Sequence, residues 1–133
     1  PLQHNNMAST RETIYMKRGC PFCTKTAVGM SEAGAMEDVD WEWDTEENRA
    51  TITEALGKVT FPALKKDDGT YMLGSDEILD RYLERKGIEK ASLKVYDFFA
   101  VQDPSMMGTF RKLFKYIMEK EGGYPQALEK LKT

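Results

Sequence analysis

"YMKRGCPFC" (residues 15–23) contains the only two cysteines of the chain, Cys20 and Cys23, separated by two residues. The run at 11–17 is short and carries β-branched and aromatic residues, which predicts a strand that leads into this stretch. Pro21 suits the first turn of a helix, where its missing N–H is harmless. We therefore predict that the two cysteines stand where a strand passes into a helix.

Helices and strands alternate beyond this point. The helix that begins near Pro21 should end at about Gly34. Residues 39–43 alternate apolar and acidic side chains, which is the period of a half-buried strand with Trp41 and Trp43 on its inner face. Thr45, followed by glutamates, marks the start of the next helix. Two strands joined by one helix predict a parallel β-α-β unit.

A hairpin and a further helix complete the first 90 residues. Asp68-Gly69 lies between two strand-like runs and is a strong turn signal. Pro62 cannot donate to a sheet ladder, so it must lie at a strand start, an edge or a bulge. Residues 75–87 carry helix signals, with Ser75 as the expected N-cap. The predicted fold class is α/β, with a mixed four-stranded sheet flanked by helices.

The composition is that of a globular domain of 133 residues. A net charge of −3 argues against a general nucleic-acid binder. No apolar run approaches the ~20 residues that cross a bilayer. Residues 1–9 are interpreted as a polar, disordered lead, with Met7 as the native start and 1–6 as a cloning remnant. We expect the cytoplasm or another reducing, soluble compartment.

The cysteine pair has three uses to weigh. A structural zinc site needs four ligands, and besides Cys20 and Cys23 the chain offers only His4, so no metal site is expected. A permanent disulfide between positions i and i+3 closes a very short loop and stabilises little. Redox chemistry is favoured, because a helix N-terminus and a nearby cation such as Lys17 stabilise a thiolate. Cys20 is then the exposed nucleophile and Cys23, one turn further on, resolves the mixed disulfide.

Three motifs, "KRGCPFC" (17–23), "TFPAL" (60–64) and "GSDEI" (74–78), together resemble a dithiol glutaredoxin over about residues 10–88. The resemblance implies a thioredoxin-like fold for a domain at 10–90, with glutathione as reductant and co-substrate. In that family the lysine three residues before the first cysteine helps to bind glutathione and stabilise the thiolate. Lys17 occupies that position.

The resemblance also implies a glutathione-binding groove. The matching positions of this chain are Thr60, Phe61, Pro62, Gly74, Ser75 and Asp76. In the family the proline is cis, and the residue before it pairs through its backbone with the cysteine of glutathione. The second group binds the γ-glutamyl end, where helix N–H groups suit a carboxylate and Asp76 can meet the ammonium.

Several positions depart from the family pattern. Gly19 replaces an aromatic residue often found before the first cysteine, which should open the rim around Cys20. Phe22, Phe61 and Leu73 stand where tyrosine, valine and glycine are commoner.

The expected function is that of a glutathione-dependent thiol-disulfide oxidoreductase in cellular redox homeostasis. Its partners would be glutathione and disulfide-containing or glutathionylated proteins, without nucleic-acid or membrane partners, and the chain would be a monomer. One alternative is a carrier of a glutathione-ligated [2Fe–2S] cluster, against which Pro21 argues, because cluster-binding members tend to have a smaller residue there. Another is a glutathione-transferase-like binding module in which Cys23 is dispensable.

Residues 91–133 are predicted to form a helical extension packed on the first domain. Apolar residues recur at helical spacing from Met106 to Met118, including Leu113 and Ile117. Core packing is the favoured interpretation of this stripe. A Met-rich surface that docks a partner and a basic amphipathic helix at a membrane are the alternatives.

Overall fold

The computed structural model describes residues 11–132. The predicted lead at 1–9, including His4 and Met7, lies outside the described residues. The chain divides into two compact units, the first ending at Val95 and the second beginning at Tyr96. That the extension packs on the first domain stays a prediction. No helix within 11–132 is both long and apolar enough to cross a membrane.

Four strands form one mixed sheet in the order β2-β1-β3-β4. They are β1 (Thr13–Met16), β2 (Asp40–Trp43), β3 (Ala63–Lys65) and β4 (Tyr71–Leu73). β1 is parallel to β2 and antiparallel to β3, and β3 is antiparallel to β4. The predicted β-α-β unit and hairpin are confirmed.

Three longer helices accompany the sheet. They are α1 (Pro21–Glu32), α2 (Glu46–Leu56) and α3 (Ser75–Lys86). The Thr45 hydroxyl caps α2 as predicted, accepting from the Asn48 N–H at 3.1 Å. Ser75 is not the cap of α3, because Gly74 occupies the N-cap position and Ser75 is the first helical residue. Since Gly74 has no side chain, the first N–H groups of α3 remain available to a ligand.

The sheet separates two apolar layers. Neighbouring residues of a strand face opposite sides, so Ile14 and Tyr15 of β1 enter different layers. Ile14 is fully buried, and α1 packs with α3. Tyr15 clusters with Ile52 of α2 and Ala63 of β3. The apolar face of α3 is buried and consists of Ile78, Leu79, Tyr82 and Leu83.

The inner face predicted for residues 39–43 is only partly right. Val39 is buried, but Trp43 is 45% exposed. The reason is its position, because β2 is an edge strand and Trp43 is its last residue. The Arg18 guanidinium lies over the Trp43 ring, 4.3 Å from its centroid. An exposed aromatic ring and a cation therefore stand beside the cysteine loop.

The second unit is helical. A segment at Asp97–Val101 with π-type hydrogen bonding precedes α4 (Met106–Glu121) and α5 (Tyr124–Leu131). The Ser105 hydroxyl caps α4, accepting from the Gly108 N–H at 2.9 Å.

The apolar stripe of α4 is less buried than predicted. Met107 is buried, whereas Leu113 is 57% and Ile117 is 43% exposed. Phe110 and Phe114 stack on each other one turn apart, with ring centroids at 5.5 Å. The interpretation as core is right for Met107 and wrong for Leu113 and Ile117, because helical spacing reports an apolar face but not what covers it.

A buried carboxylate joins β1 to α3. Glu12, directly before β1, is 4% exposed. Its Oε1 accepts from the Tyr82 hydroxyl at 2.7 Å and from Arg85 at 2.8 Å, and Arg81 donates to both oxygens, at 3.1 and 2.6 Å. Burial raises the pKa of Glu12, but the hydrogen bonds from Arg81 and Tyr82 outweigh it and lower the pKa to about 2. A charge held in this way fixes the position of α3.

We expect Glu12→Gln to lower the free energy of unfolding by about 3 kcal/mol at neutral pH. The folded-state pKa is depressed, so the stabilisation is present above about pH 4.5 and lost as the pH falls towards 2. The difference between wild type and variant in urea denaturation should therefore shrink over that range. Glu54→Gln, which changes an exposed glutamate of α2, is the matched control. Parallel stability profiles for wild type and Glu12→Gln would contradict the assignment.

Candidate active site

Cys20 occupies the N-cap of α1, the position that the sequence predicts. Its backbone is extended (φ −95°, ψ 115°), and Pro21 follows in the first turn. The Cys23 N–H donates to Cys20 Sγ at an N–S distance of 3.4 Å. A sulfur here takes the place of the usual capping oxygen and faces the positive end of the helix dipole. The site therefore stabilises negative charge on Cys20.

Cys23 lies one turn further on and is shielded. It is 2% exposed, and the Lys17 backbone N–H donates to its Sγ at 3.4 Å. Cys20 is half-buried, and both cysteines are free thiols. The expected arrangement of an accessible sulfur and a protected one is present.

The two thiols differ strongly in acidity. The side-chain hydrogen bond from Cys23 is the largest cause that lowers the pKa of Cys20, and burial opposes this shift. The backbone N–H groups of Cys23 and Phe22 and the charge of Lys17 lower the pKa further, to about 6. The hydrogen bond to Cys20 and then burial raise the pKa of Cys23. At neutral pH Cys20 is thus mainly a thiolate and Cys23 a thiol, which suits one for attack and the other for a later step.

Glycine is favoured at position 19 by its backbone conformation and not by a lack of room for a side chain. Its φ is +72°, a conformation that side chains rarely adopt, and an added Cβ would meet no atom within 4 Å. The rim beside Cys20 is therefore open at this point, as the sequence suggested. The exposed Lys17 begins the same loop.

A groove of about 310 Å³ lies between the start of α1, the loop before β3 and the start of α3. Its lining consists of Phe22, Thr60, Phe61, Pro62, Gly74, Ser75 and Glu77. The Phe61–Pro62 peptide bond is cis, as the resemblance implies. Five of the predicted glutathione-binding residues thus line one groove, next to the helix that Cys20 begins.

Asp76 has a different environment. Its carboxylate forms an ion pair with Lys25 of α1, with Nζ 2.9 Å from each carboxylate oxygen. Lys90 lies 3.6 Å from the same carboxylate. Lys25 is buried in spite of its charge. Sequence reasoning missed this position, because lysine is a residue type that is mostly exposed. Glu77 rather than Asp76 is the acidic residue that lines the groove.

Two arginines near the cysteine loop and the groove lie over aromatic rings. Arg18 covers Trp43, and the Arg49 guanidinium lies 5.3 Å from the centroid of the Phe61 ring. Arg49 also pairs with Asp44 at 3.5 Å. Among residues 11–132, no three His, Cys, Asp or Glu side chains gather as a metal-binding group.

A family model described as "Glutathione S-transferase, N-terminal domain" matches residues 14–90, more than half of the chain. The chain belongs to this family. The match covers the strand before the cysteines, the groove and α3. No curated protein sequence matches the chain.

Solved structures of related proteins share the fold of this glutathione S-transferase N-terminal domain. Glutaredoxin 2 from Salmonella typhimurium, in complex with glutathione, aligns at a TM-score of 0.56 and 23% identity, covering 82% of this chain and 46% of that one. Glutathione transferase Omega 3C from Trametes versicolor aligns at 0.50 and 12%, covering 89% and 47%. The thioredoxin-like fold is confirmed, and the chain spans less than half the length of either protein.

The origin of the Cys20 acidity can be tested by alkylation. We expect the rate of iodoacetamide modification of the reduced protein to rise with pH around a midpoint near 6. Cys23→Ala should raise this midpoint most, because the Cys23 side chain makes the largest contribution to lowering it. Lys17→Gln should raise it less, because its charge contributes least of the causes found.

Cys23→Ser is the matched control, since its hydroxyl keeps a donor beside Cys20. Its midpoint should lie between those of wild type and Cys23→Ala. A Cys23→Ala midpoint equal to that of wild type would show that the side-chain hydrogen bond does not set the acidity.

Proposed function

We propose that this chain is a glutathione-dependent thiol-disulfide oxidoreductase of the dithiol glutaredoxin type. The observation that carries the proposal is the pairing of a half-buried Cys20, with its pKa lowered to about 6, and a buried Cys23 whose pKa is raised. A structural cysteine pair has no need of a stabilised thiolate, whereas a thiol that attacks disulfides depends on one.

The proposed reaction begins with attack of the Cys20 thiolate on a disulfide of a glutathionylated protein. The new bond joins Cys20 Sγ to the glutathione sulfur, and the protein leaves as its thiolate, which takes up a proton. A second glutathione thiolate then attacks the glutathione sulfur, releasing oxidised glutathione and restoring Cys20. The net reaction consumes one free glutathione thiol, because the other half of oxidised glutathione comes from the substrate disulfide, and the protein leaves as a thiol.

Cys23 provides the second route, which suits protein disulfides. After Cys20 forms a mixed disulfide with one substrate sulfur, Cys23 loses its proton and attacks Cys20 Sγ, so the substrate leaves reduced and a Cys20–Cys23 disulfide remains. Two glutathione molecules then reduce this disulfide. The expected reduction potential is about −200 to −230 mV, as for glutaredoxins in general.

Glutathione is the proposed co-substrate, and the groove supports it. Thr60, Phe61 and Pro62 lie on one side, where the backbone before a proline at a strand start is free to pair with an extended peptide. Gly74 and Ser75 on the other side present helix N–H groups to a carboxylate. Salmonella glutaredoxin 2, which shares the fold, is a glutathione complex.

A second candidate is a glutathione-transferase-like activity, favoured by the family to which the domain belongs. In that case the Cys20 thiolate or bound glutathione serves a transfer reaction and Cys23 has no catalytic part. The two candidates therefore differ in what they require of Cys23.

Activity assays of Cys20→Ser and Cys23→Ser separate the candidates. With a glutathionylated peptide and a glutathione-coupled readout, we expect Cys20→Ser to abolish activity, because a hydroxyl does not attack disulfides. Cys23→Ser should retain deglutathionylation and lose most of the reduction of a protein disulfide.

The contrary results are equally specific. Full activity of Cys20→Ser would refute the mechanism. Equal activity of Cys23→Ser and wild type on both substrates, together with conjugation of glutathione to an aryl halide, would favour the transferase candidate.

A further inference from the structure

Two exposed cations precede Cys20, and the proposed mechanism uses only one of them. The charge of Lys17 contributes to the low pKa of Cys20, whereas Arg18 takes no part in the exchange of thiols. Within residues 11–132, neither side chain has a carboxylate partner. This local positive charge contrasts with the net charge of −3 of the chain. The inference that follows rests on the proposed function and concerns the class of protein substrate.

Arg18 lies in the turn that ends at the nucleophile. The Cys20 N–H donates to the Lys17 carbonyl at 3.3 Å, so Arg18 and Gly19 are the two central residues of this turn. Gly19 has a φ of +72° and places no side chain between Arg18 and Cys20. A substrate residue next to the sulfur that Cys20 attacks therefore comes within reach of the long Arg18 side chain.

The Trp43 ring holds the Arg18 guanidinium in place. Trp43 ends β2 in register with Met16, which ends β1, so the ring lies at the end of the sheet that carries the cysteine loop. The Asn48 side chain fixes this strand end by donating to the Trp43 carbonyl at 2.9 Å. The Arg18 Cζ lies 4.3 Å from the ring centroid. A guanidinium held on a ring face keeps N–H donors for a carboxylate and loses less conformational freedom on binding it.

Asp44 follows Trp43 in the chain, but its charge is offset by another arginine. Its carboxylate pairs with Arg49 at an N–O distance of 3.5 Å. The charges of Lys17 and Arg18 are therefore not neutralised by this neighbour. Charge complementarity favours an acidic group as the occupant of the surface that Arg18 and Trp43 present.

We propose that Arg18, oriented by Trp43, binds a glutamate or aspartate side chain next to the target cysteine of a protein substrate. The planar guanidinium suits a carboxylate, because two of its N–H groups can donate to the two oxygens. The preferred substrates are then proteins in which an acidic residue flanks the glutathionylated or disulfide-bonded cysteine. Arg18 determines specificity, and the chemistry remains with Cys20 and Cys23.

The test measures kcat/KM for deglutathionylation of two capped peptides by the full chain. Each peptide carries one glutathionylated cysteine, flanked by glutamate in one peptide and by glutamine in the other. Wild type should prefer the glutamate peptide about fivefold at low ionic strength, in spite of the net negative charge of the chain, and added salt should weaken the preference. Arg18→Gln should abolish the preference by slowing the glutamate peptide alone.

Lys65→Gln is the matched control, because it removes an exposed cation that lies opposite Thr13, at the other end of the sheet from the cysteine loop. It should keep the wild-type preference. Trp43→Leu should reduce the preference, whereas Trp43→Phe should keep most of it, since a phenylalanine ring still holds a guanidinium. A change in the Cys20 thiolate would affect both peptides equally, so the ratio of the two kcat/KM values reports recognition.

An equal slowing of both peptides in Arg18→Gln, with the preference retained, would overturn the inference, because Arg18 would then bind a carboxylate of the glutathione that both peptides carry. Equal rates of wild type on the two peptides, or loss of the preference in Lys65→Gln, would overturn it as well and leave the proposed function intact. Turnover of neither peptide by wild type would instead remove the proposed function, and the inference with it.

Discussion

The hydrogen bond from the Cys23 N–H to the Cys20 sulfur is the contact on which the candidate site depends. It exists because α1 begins immediately after Cys20, at the end of the loop that leaves β1. The helix supplies unpaired N–H groups to one sulfur and buries the other in its first turn. The side-chain hydrogen bond between the two cysteines is the largest cause of the difference in their pKa values, and the backbone N–H groups at the helix start lower the pKa of Cys20 further.

Helix α3 positions the rest of the site through two buried charges. Glu12 reaches it from the start of β1 through Arg81 and Arg85, and Lys25 reaches it from α1 through Asp76. Buried ion pairs contribute modestly to net stability, but breaking one leaves an uncompensated charge. The Lys25–Asp76 pair therefore holds the start of α3, which forms one side of the groove, and the pairs of Glu12 hold its second half.

The family places this chain among glutathione S-transferase N-terminal domains, and a fold alone does not determine a function. The cysteine pair is the feature that a transferase-like activity would not use in full, because Cys23 would have no catalytic part there. In this chain the pKa of Cys20 is lowered and Cys23 is buried. It also carries a second, helical unit from Tyr96, with apolar side chains such as Phe98 at 70% and Leu113 at 57% exposure. The chemistry proposed here depends on the first unit only.

By itself, the sequence determined the order of strands and helices, the hairpin at Asp68-Gly69 and the roles open to the two cysteines. These features follow from turn residues, helix caps and periodicity, which act over a few neighbouring positions. Tertiary structure alone decided that Trp43 is exposed at a sheet edge. It also decided that Lys25 pairs with Asp76, 51 residues away, and so left Glu77 as the acidic residue at the groove. Burial and ion pairing depend on which distant elements pack together, and local sequence patterns do not indicate this.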